Sequence, residues 1–216
     1  MSGILAVSCI TVAIIMSSDA VADNERGISC DIESSPVSQS ILRFSYMASS
    51  YICTRAITFI MLAIGFIYLA ISGWYLDAGQ VFAVIGNVFL SALSSTLFAT
   101  LAVSFFRSTS ALGGFIGIVS AAVGFLMGAY IPLSVLGTGM EYFACILPGT
   151  YSAGIFRDMF ISGALNEMAN VLPQEAVTAI ANEYSVHVDF FGIRFQSWHS
   201  ALMLIASGVF LVILLS

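Results

Sequence analysis

Few side chains in this sequence have the types and spacing that chemistry requires. His187 and His199 are twelve residues apart with Asp189 nearby, which is too few converging ligands for a metal site or a proton relay. No Ser/His/Asp or Cys/His arrangement points to covalent catalysis. The sequence therefore predicts no catalytic residue and no metal site.

The densest group of charged and helix-starting residues lies in the segment 23–45. Ser35 is a favoured N-cap residue and Pro36 suits the first position of a helix, which predicts a short helix from Ser35 to Leu42. Its apolar face would consist of residues at helical spacing, namely Val37, Ile41 and Phe44. Such a helix lies along a membrane surface and would act as a rigid lever on the apolar segment that follows. A solvated connector is the alternative.

A polar stripe runs along one face of a later apolar stretch, at Asn87, Ser91 and Ser94. These side chains could line a path for a substrate. They could equally form hydrogen bonds between helices, which membrane proteins use for packing. Packing is the favoured interpretation, and a pathway is the alternative.

The elements that position these residues follow from the composition. Of 216 residues, 59% are hydrophobic and 8% are charged, against about 25% charged in an ordinary soluble domain. A soluble fold of this size could not bury so much apolar surface, whereas a lipid bilayer accepts it. The sequence therefore predicts an all-α polytopic membrane protein.

The absence of lysine excludes two classes of function. Twelve acidic residues outnumber six basic ones, all of them arginine, and the net charge is −6. A phosphate-binding loop of the GxxxxGK[ST] type cannot occur without lysine, so this chain is not itself a P-loop ATPase. Nucleic-acid binding needs a dense basic surface, which the sequence lacks.

Five apolar stretches approach the length needed to cross a bilayer, which is about 20 residues. They cover residues 4–22, 46–73, 81–106, 111–135 and 199–215. Arg55 interrupts the second stretch, but the part behind it can span alone, so we expect the Arg55 guanidinium to reach the interface. The alternative for the first stretch is a signal peptide cleaved after Ala22, although the positively charged start of such peptides is missing.

The placement of arginine predicts the topology. Four of the six arginines fall on one side of the five spans, namely Arg26, Arg43, Arg55 and Arg107. Basic residues favour the cytoplasmic side. The loop 23–45 is therefore expected in the cytoplasm, and the region 136–198 is expected outside the cell.

That outer region is predicted to contain a re-entrant or broken helical segment. The chain is apolar from Glu141 to Ser162, but Pro148-Gly149 interrupts it, and each part is too short to cross the membrane. Irregular backbone at this depth must be shielded by protein or line a water-filled cavity. A single kinked span is the alternative.

The fourth span carries a ridge of small residues. They recur at spacings of three or four, at Gly113, Gly117, Ala121, Gly124 and Gly128. Such a ridge lets another helix approach closely. The partner helix could lie in this chain or in a second copy.

Several motifs in order resemble those of ABC-2 type transporter permeases. Segment 23–37 reads D-x-E-R-G-I-x-x-D-x-x-x-S-P-V, and L-R-x-S-Y follows at 42–46. Further matches lie at 128–136, at 147–151 with Arg157, and at 189–192. The family usually has six spans and a cytoplasmic N-terminal segment, so the resemblance implies that the first family helix is missing here.

The resemblance implies two sets of functional residues. The cytoplasmic segment of the family docks on a separate ATP-hydrolysing subunit, and the corresponding residues here are Glu25, Arg26, Gly27, Asp31, Ser35, Pro36, Val37, Ile41 and Leu42. In the family, the end of the fifth helix is followed by extracellular re-entrant helices that close the outer gate. The corresponding residues here are Pro132, Leu147, Pro148, Thr150, Tyr151 and Arg157.

The function that the resemblance implies is transport rather than enzymatic catalysis. The chain would be the membrane-spanning subunit of an ATP-driven ABC transporter in a bacterial plasma membrane, exporting a drug, peptide, lipid or polysaccharide. ATP and magnesium would bind to the partner ATPase, no cofactor would bind to this chain, and a second copy or a related permease would complete the assembly. The alternatives are a passive channel and an integral membrane enzyme or assembly factor acting on lipids.

Overall fold

The computed structural model describes residues 2–28, 38–127, 139, 144, 147–169, 188–190, 193–195 and 197–215. Within these ranges the chain forms seven helices and one β-hairpin. The helices are α1 (Ser2–Ser17), α2 (Asp19–Glu25), α3 (Gln39–Ser72), α4 (Ala78–Ser104), α5 (Thr109–Leu126), α6 (Pro148–Ala169) and α7 (Ser197–Leu215). The strands β1 (Val188–Phe190) and β2 (Ile193–Phe195) pair antiparallel, with Asp189 opposite Arg194.

This architecture confirms the predicted all-α polytopic membrane fold. Four helical segments are long and apolar enough to cross a membrane, namely Ser2–Glu25, Gln39–Ile71, Ala78–Ser104 and Thr109–Leu126. The last predicted span, 199–215, lies in α7, which is 19 residues long. Large apolar side chains such as Ile67, Ile71 and Phe82 are more than half exposed, as expected for surfaces that face lipid.

Helix α1 lies at the centre of the bundle. It packs against α3, α4, α5 and α6, and its Ala6, Ile10 and Ile14 are almost completely buried. Helix α4 is the second central element, because it also contacts α3, α6 and α7. A membrane helix with protein on several sides needs small residues at its contacts, and α1 provides them at Ala6 and Ala13.

The seam between α1 and α3 is built from small and hydroxylated residues at spacings of four. Cys9, Ala13 and Ser17 on α1 face Ser50, Thr54 and Thr58 on α3, and all six are buried. Ser17 Oγ lies 3.1 Å from Ser50 Oγ, and Cys9 Sγ lies 3.5 Å from Thr58 Oγ1. Short side chains let the two backbones approach, and their hydroxyls bond across the seam.

The ends of α3 and α4 are fixed by local signals. Gly73 follows α3 with φ of +123°, a conformation that favours glycine and stops the helix. Asp77 then begins α4 with a capping box in which its side chain and that of Gln80 each accept a backbone N–H. The turn 73–77 therefore reverses the chain and sets α3 and α4 antiparallel.

The small-residue ridge on α5 faces away from the described part of the chain. Gly113, Gly117 and Ala121 are exposed, and a Cβ atom added at Gly113 or Gly117 would meet no atom within 4 Å. Gly124 is buried, and Gly128 lies outside the described residues. The described helices therefore leave the N-terminal two thirds of the ridge uncovered.

Two threonines on the α1–α3 seam should respond oppositely to loss of their hydroxyl. The Thr58 hydroxyl donates to Thr54 O at 2.8 Å and lies against Cys9, whereas the buried Thr54 hydroxyl has no hydrogen-bond partner among the described residues. We expect Thr58→Val to destabilise the protein by about 0.6 kcal/mol. Thr54→Val should be neutral or stabilising, because it removes an unsatisfied buried group. Thermal unfolding in detergent measures the stability of both variants. A larger loss of stability for Thr54→Val than for Thr58→Val would contradict the hydrogen bonds assigned to the seam.

Candidate functional site

The first candidate site is the turn that ends α2. Helix α2 follows α1 after a break at Ser18, and Arg26 is its C-cap. Gly27 comes next with φ of +77°, which is the left-handed conformation that commonly terminates a helix and favours glycine. The Gly27 N–H donates to Asn24 O at 3.2 Å. Glu25 and Arg26 are exposed on this turn, so their side chains are accessible from outside the bundle.

A hydrogen bond ties the two ends of the predicted coupling loop to each other. The Tyr46 hydroxyl donates to the Asp23 carboxylate at 2.6 Å. One turn deeper, Ser50 Oγ donates to Ala13 O at 3.3 Å. The loop therefore leaves and re-enters the bundle at one place, and α2 is fixed to the start of α3.

Glu25 joins this turn to the start of α5. One of its carboxylate oxygens accepts from the Thr109 backbone N–H at 2.7 Å and from the Thr109 hydroxyl at 2.5 Å. Thr109 is the first residue of α5, and its N-cap Ser108 accepts from Ala111 N–H at 3.2 Å. Backbone N–H groups at a helix N-terminus lack partners within the helix and favour negative charge. Glu25 therefore acts as a second cap that comes from another helix.

The remaining coupling residues are only partly described. Asp31, Ser35, Pro36 and Val37 lie outside the described residues. Ile41 and Leu42 lie in the first turn of the 34-residue helix α3, and Ile41 is 59% exposed. The described part of the predicted Ser35–Leu42 helix is therefore not a separate surface helix: no proline or glycine follows Leu42 before the span, and the helix continues from Gln39 to Ser72.

The second candidate site lies at the start of α6. Pro148 is the first residue of the helix, where its missing N–H costs nothing. The Thr150 N–H donates to Leu147 O at 3.1 Å, and its hydroxyl donates to Ala144 O at 2.6 Å. Every side chain from Pro148 to Arg157 is buried, and α6 packs against α1, α4 and α7. Protein therefore shields this segment, its re-entrant nature stays a prediction, and Pro132 lies outside the described residues.

Arg157 joins α6 to the end of α5. Its guanidinium is buried, and Nη2 donates to Met127 O at 2.9 Å. Met127 is the C-cap of α5, where carbonyl groups lack partners within the helix and the helix dipole favours a cation. Arginine remains protonated in proteins, so a positive charge caps α5 at this end.

The predicted polar stripe lies between α4 and α6. Asn87, Ser91 and Ser94 are all buried. Asn87 Nδ2 donates to Ser152 O at 3.4 Å, and the Ser91 and Ser152 hydroxyls are hydrogen-bonded to each other. These contacts are of the kind that the packing interpretation expects, and the pathway interpretation stays a prediction.

Arg55 lies against aromatic rings on the same side of α3 and α4. Its guanidinium carbon is 4.5 Å from the Phe89 ring centre and 5.5 Å from that of Tyr51. A cation over a ring face is attracted by the ring quadrupole. The half-buried guanidinium is thus stabilised by aromatic side chains of α3 and α4.

Two partners that complete these sites could not be predicted from the sequence. Thr109 and Met127 are ordinary residues at the ends of α5, and they become functional candidates only because Glu25 and Arg157 reach them. Arg107-Ser108 marks the start of a helix in the sequence. Which carboxylate would reach that start is a matter of tertiary structure.

Gly27 and Gly86 form a matched pair for testing the turn. A Cβ atom at either position would meet nothing within 4 Å, but only Gly27 has positive φ. We expect Gly27→Ala to cost roughly 1 kcal/mol through backbone strain alone. Gly86→Ala in α4 should be neutral or stabilising, because alanine favours a helix. Melting temperatures measure both, and equal temperatures for the two variants would show that the turn is not strained.

A comparison with protein families identifies the kind of protein to which the whole chain belongs. The model of the ABC-2 family transporter proteins matches residues 1–216, which is the whole chain. No curated protein and no solved structure matched the chain. The chain is a multi-pass membrane protein of the transport type, with the apolar helices that a permease subunit requires. On this full-length match, it belongs to the ABC-2 family of transporter proteins and is a membrane permease subunit of an ABC transporter.

Proposed function

We propose that a separate ATPase chain binds the loop 23–45 and drives this permease by moving that loop. The contact would be made by the Glu25-Arg26-Gly27 turn and by the segment from Ser35 to Leu42. ATP and magnesium would bind to the ATPase and not to this chain. The observation that carries the proposal is an exposed, conformationally fixed turn on a chain whose whole length matches a family of ABC transporters.

The attachment of the loop supports a role as a lever. Asp23 and Tyr46 tie its two ends together, so a force on the loop acts on α2 and α3 at once. The exposed Ile41 and Phe44 in the first turns of α3 provide an apolar surface next to the turn. A partner subunit could cover these side chains without entering the bundle.

The proposed setting is a bacterial plasma membrane, with the loop in the cytoplasm and the start of α6 toward the outside. Nucleotide-dependent pulling on the loop would shift the balance between inward-facing and outward-facing states. Export of a drug, peptide, lipid or polysaccharide is the proposed direction and substrate range. The buried first turns of α6 would form part of the outer gate.

A second permease copy is the proposed partner for the exposed ridge of α5. Gly113 and Gly117 form a G-x-x-x-G pair, which lets two membrane helices approach to close contact. Their open surroundings leave room for a helix from another subunit. The neighbouring Ile118 is 71% exposed and would add apolar contact.

Docking can be tested by co-expressing this chain with a candidate P-loop ATPase and measuring their co-purification. We expect the native chain to retain the ATPase in detergent and Pro36→Ala to weaken retention, because alanine loses the fixed φ that starts the predicted helix. Asp77→Ala, in the turn at the opposite end of α3, is the control and should retain the ATPase fully. Equal retention by native protein and Pro36→Ala would remove the Ser35–Leu42 segment from the contact.

The sidedness of the loop has its own measurement. With Cys53 and Cys145 replaced by serine, Cys30 should react with a membrane-impermeant maleimide only after the cells are opened. An Ala78→Cys probe at the exposed start of α4 should react in intact cells when Cys30 is also replaced. Labelling of Cys30 in intact cells would place the loop outside the cell, where no ATPase could bind it, and would contradict the proposed function.

The dimer surface is tested by adding bulk to two equally open glycines. Gly117→Ile should reduce dimerisation, because its side chain would block close approach of a second α5. Gly86→Ile adds the same side chain at an exposed position of α4 and should leave the dimer intact. Cross-linking in membranes reports the ratio of dimer to monomer, and equal effects of the two variants would exclude the ridge as the interface.

A further inference from the structure

We infer that α5 is a strut that carries movement of the coupling loop to the outer gate, with Glu25 and Arg157 as its positioning residues. The inference rests on the proposed function, because it assumes that an ATPase moves the loop. It adds a route across the membrane between two candidate sites that lie far apart in the sequence.

One end of the strut is attached to the coupling turn. The Glu25 carboxylate accepts hydrogen bonds from both the backbone N–H and the hydroxyl of Thr109. Helix α2 also touches α5 directly. Because Gly27 fixes the end of α2, a shift of the turn displaces the Glu25 carboxylate, and the start of α5 must follow or lose both bonds.

The other end is attached to the gate helix. Arg157 donates to the C-cap carbonyl of α5 at Met127. Gly149, in the first turn of α6, lies so close that an added Cβ atom would be 2.6 Å from Met127 Cε. The end of α5 therefore contacts α6 through the Arg157–Met127 hydrogen bond and through the close packing of the Met127 side chain on Gly149, so displacement of α5 reaches the start of α6.

The body of α5 packs on one side only among the described residues. It packs mainly along α1, and its buried residues are few, namely Leu112, Val123 and Gly124. The ridge at Gly113 and Gly117 and the side chain of Ile118 face away from the described bundle. A helix that packs along one neighbour in this chain, with a charged contact at each end, can shift along its axis as one body, together with any second subunit that covers the ridge.

The dimensions of α5 suit a connection across the membrane. Its 18 residues extend about 27 Å at 1.5 Å per residue, close to the roughly 30 Å of a hydrocarbon core. Backbone hydrogen bonds in lipid remain inside the helix, because no other partner is available there. The helix therefore keeps its length while it moves.

Substitution of Thr109 removes the hydrogen bonds between Glu25 and α5 without replacing a residue of the proposed ATPase contact. Thr109→Pro removes the N–H and the hydroxyl together. Proline is tolerated at the first helical position, and Ser108 before it is already extended at φ −132° and ψ 141°, as a residue before proline must be. Thr109→Val removes only the hydroxyl, and Ser110→Val alters the adjacent exposed residue as the control.

The readout is the nucleotide response of the gate helix in proteoliposomes that contain the ATPase. An Ile161→Cys probe on α6, in a chain whose Cys30, Cys53 and Cys145 are replaced by serine, is labelled with an impermeant maleimide with and without ATP plus vanadate. We expect the native strut to give a nucleotide-dependent change in labelling rate. Thr109→Pro should reduce that change roughly three- to tenfold, Thr109→Val should reduce it less, and Ser110→Val should preserve it.

The opposite end gives an independent variant if Thr109→Pro fails to fold. Arg157→Lys keeps a positive donor and should keep part of the response, whereas Arg157→Met should abolish it. Suppose that the ATPase co-purifies with every variant. If the probe then responds to nucleotide equally in all of them, or responds in none of them including the native chain, the strut is excluded and the proposed function stands. If the native chain retains no ATPase, the proposed function fails and the strut has no driver.

Discussion

The ends of α5 are the places where the physical requirements of a membrane helix are most visible in this protein. The first N–H groups and last carbonyls of a helix have no partners within it, and lipid provides none. Glu25 meets the first end by accepting two bonds from Thr109, and Arg157 meets the other by donating to Met127. Each charge has the sign that the helix dipole favours at its end. Both side chains come from segments that the ABC-2 resemblance makes functional.

The rest of the bundle follows a different rule, which is close packing through small polar residues. Hydrophobic burial does not drive association between helices in lipid, because the lipid is equally apolar. The α1–α3 seam at Cys9, Ser17, Ser50 and Thr58, and the bonds of Asn87 and Ser91 to Ser152, provide contacts between helices instead. Helices α1, α3, α4 and α6 therefore form a firmly packed group. Helix α5 stands at its edge, where it packs chiefly along α1 and is hydrogen-bonded at both ends.

This contrast suits a transporter. A permease must change conformation while its helices stay intact, so the mobile element should have few side contacts and strong end contacts. Within this chain helix α5 packs chiefly along α1 and is hydrogen-bonded at both ends, and a second subunit on its exposed glycine ridge would move with it. The fixed group provides the frame against which it moves. Energy from ATP would enter at the turn after α2 and leave at the start of α6.

The sequence by itself determined the class of the protein and the position of its candidate sites. An apolar composition without lysine could belong only to a membrane chain that hydrolyses no ATP through a P-loop. Local rules also predicted that Pro148-Gly149 interrupts an apolar segment, because proline and glycine act through their own backbone. The tertiary structure alone decided that Glu25 meets Thr109, 84 residues away, and that Arg157 meets Met127, 30 residues away. Periodicity shows which face of a helix is polar, but a hydrogen bond between distant segments depends on how the helices are arranged, and that arrangement is set by packing over the whole bundle.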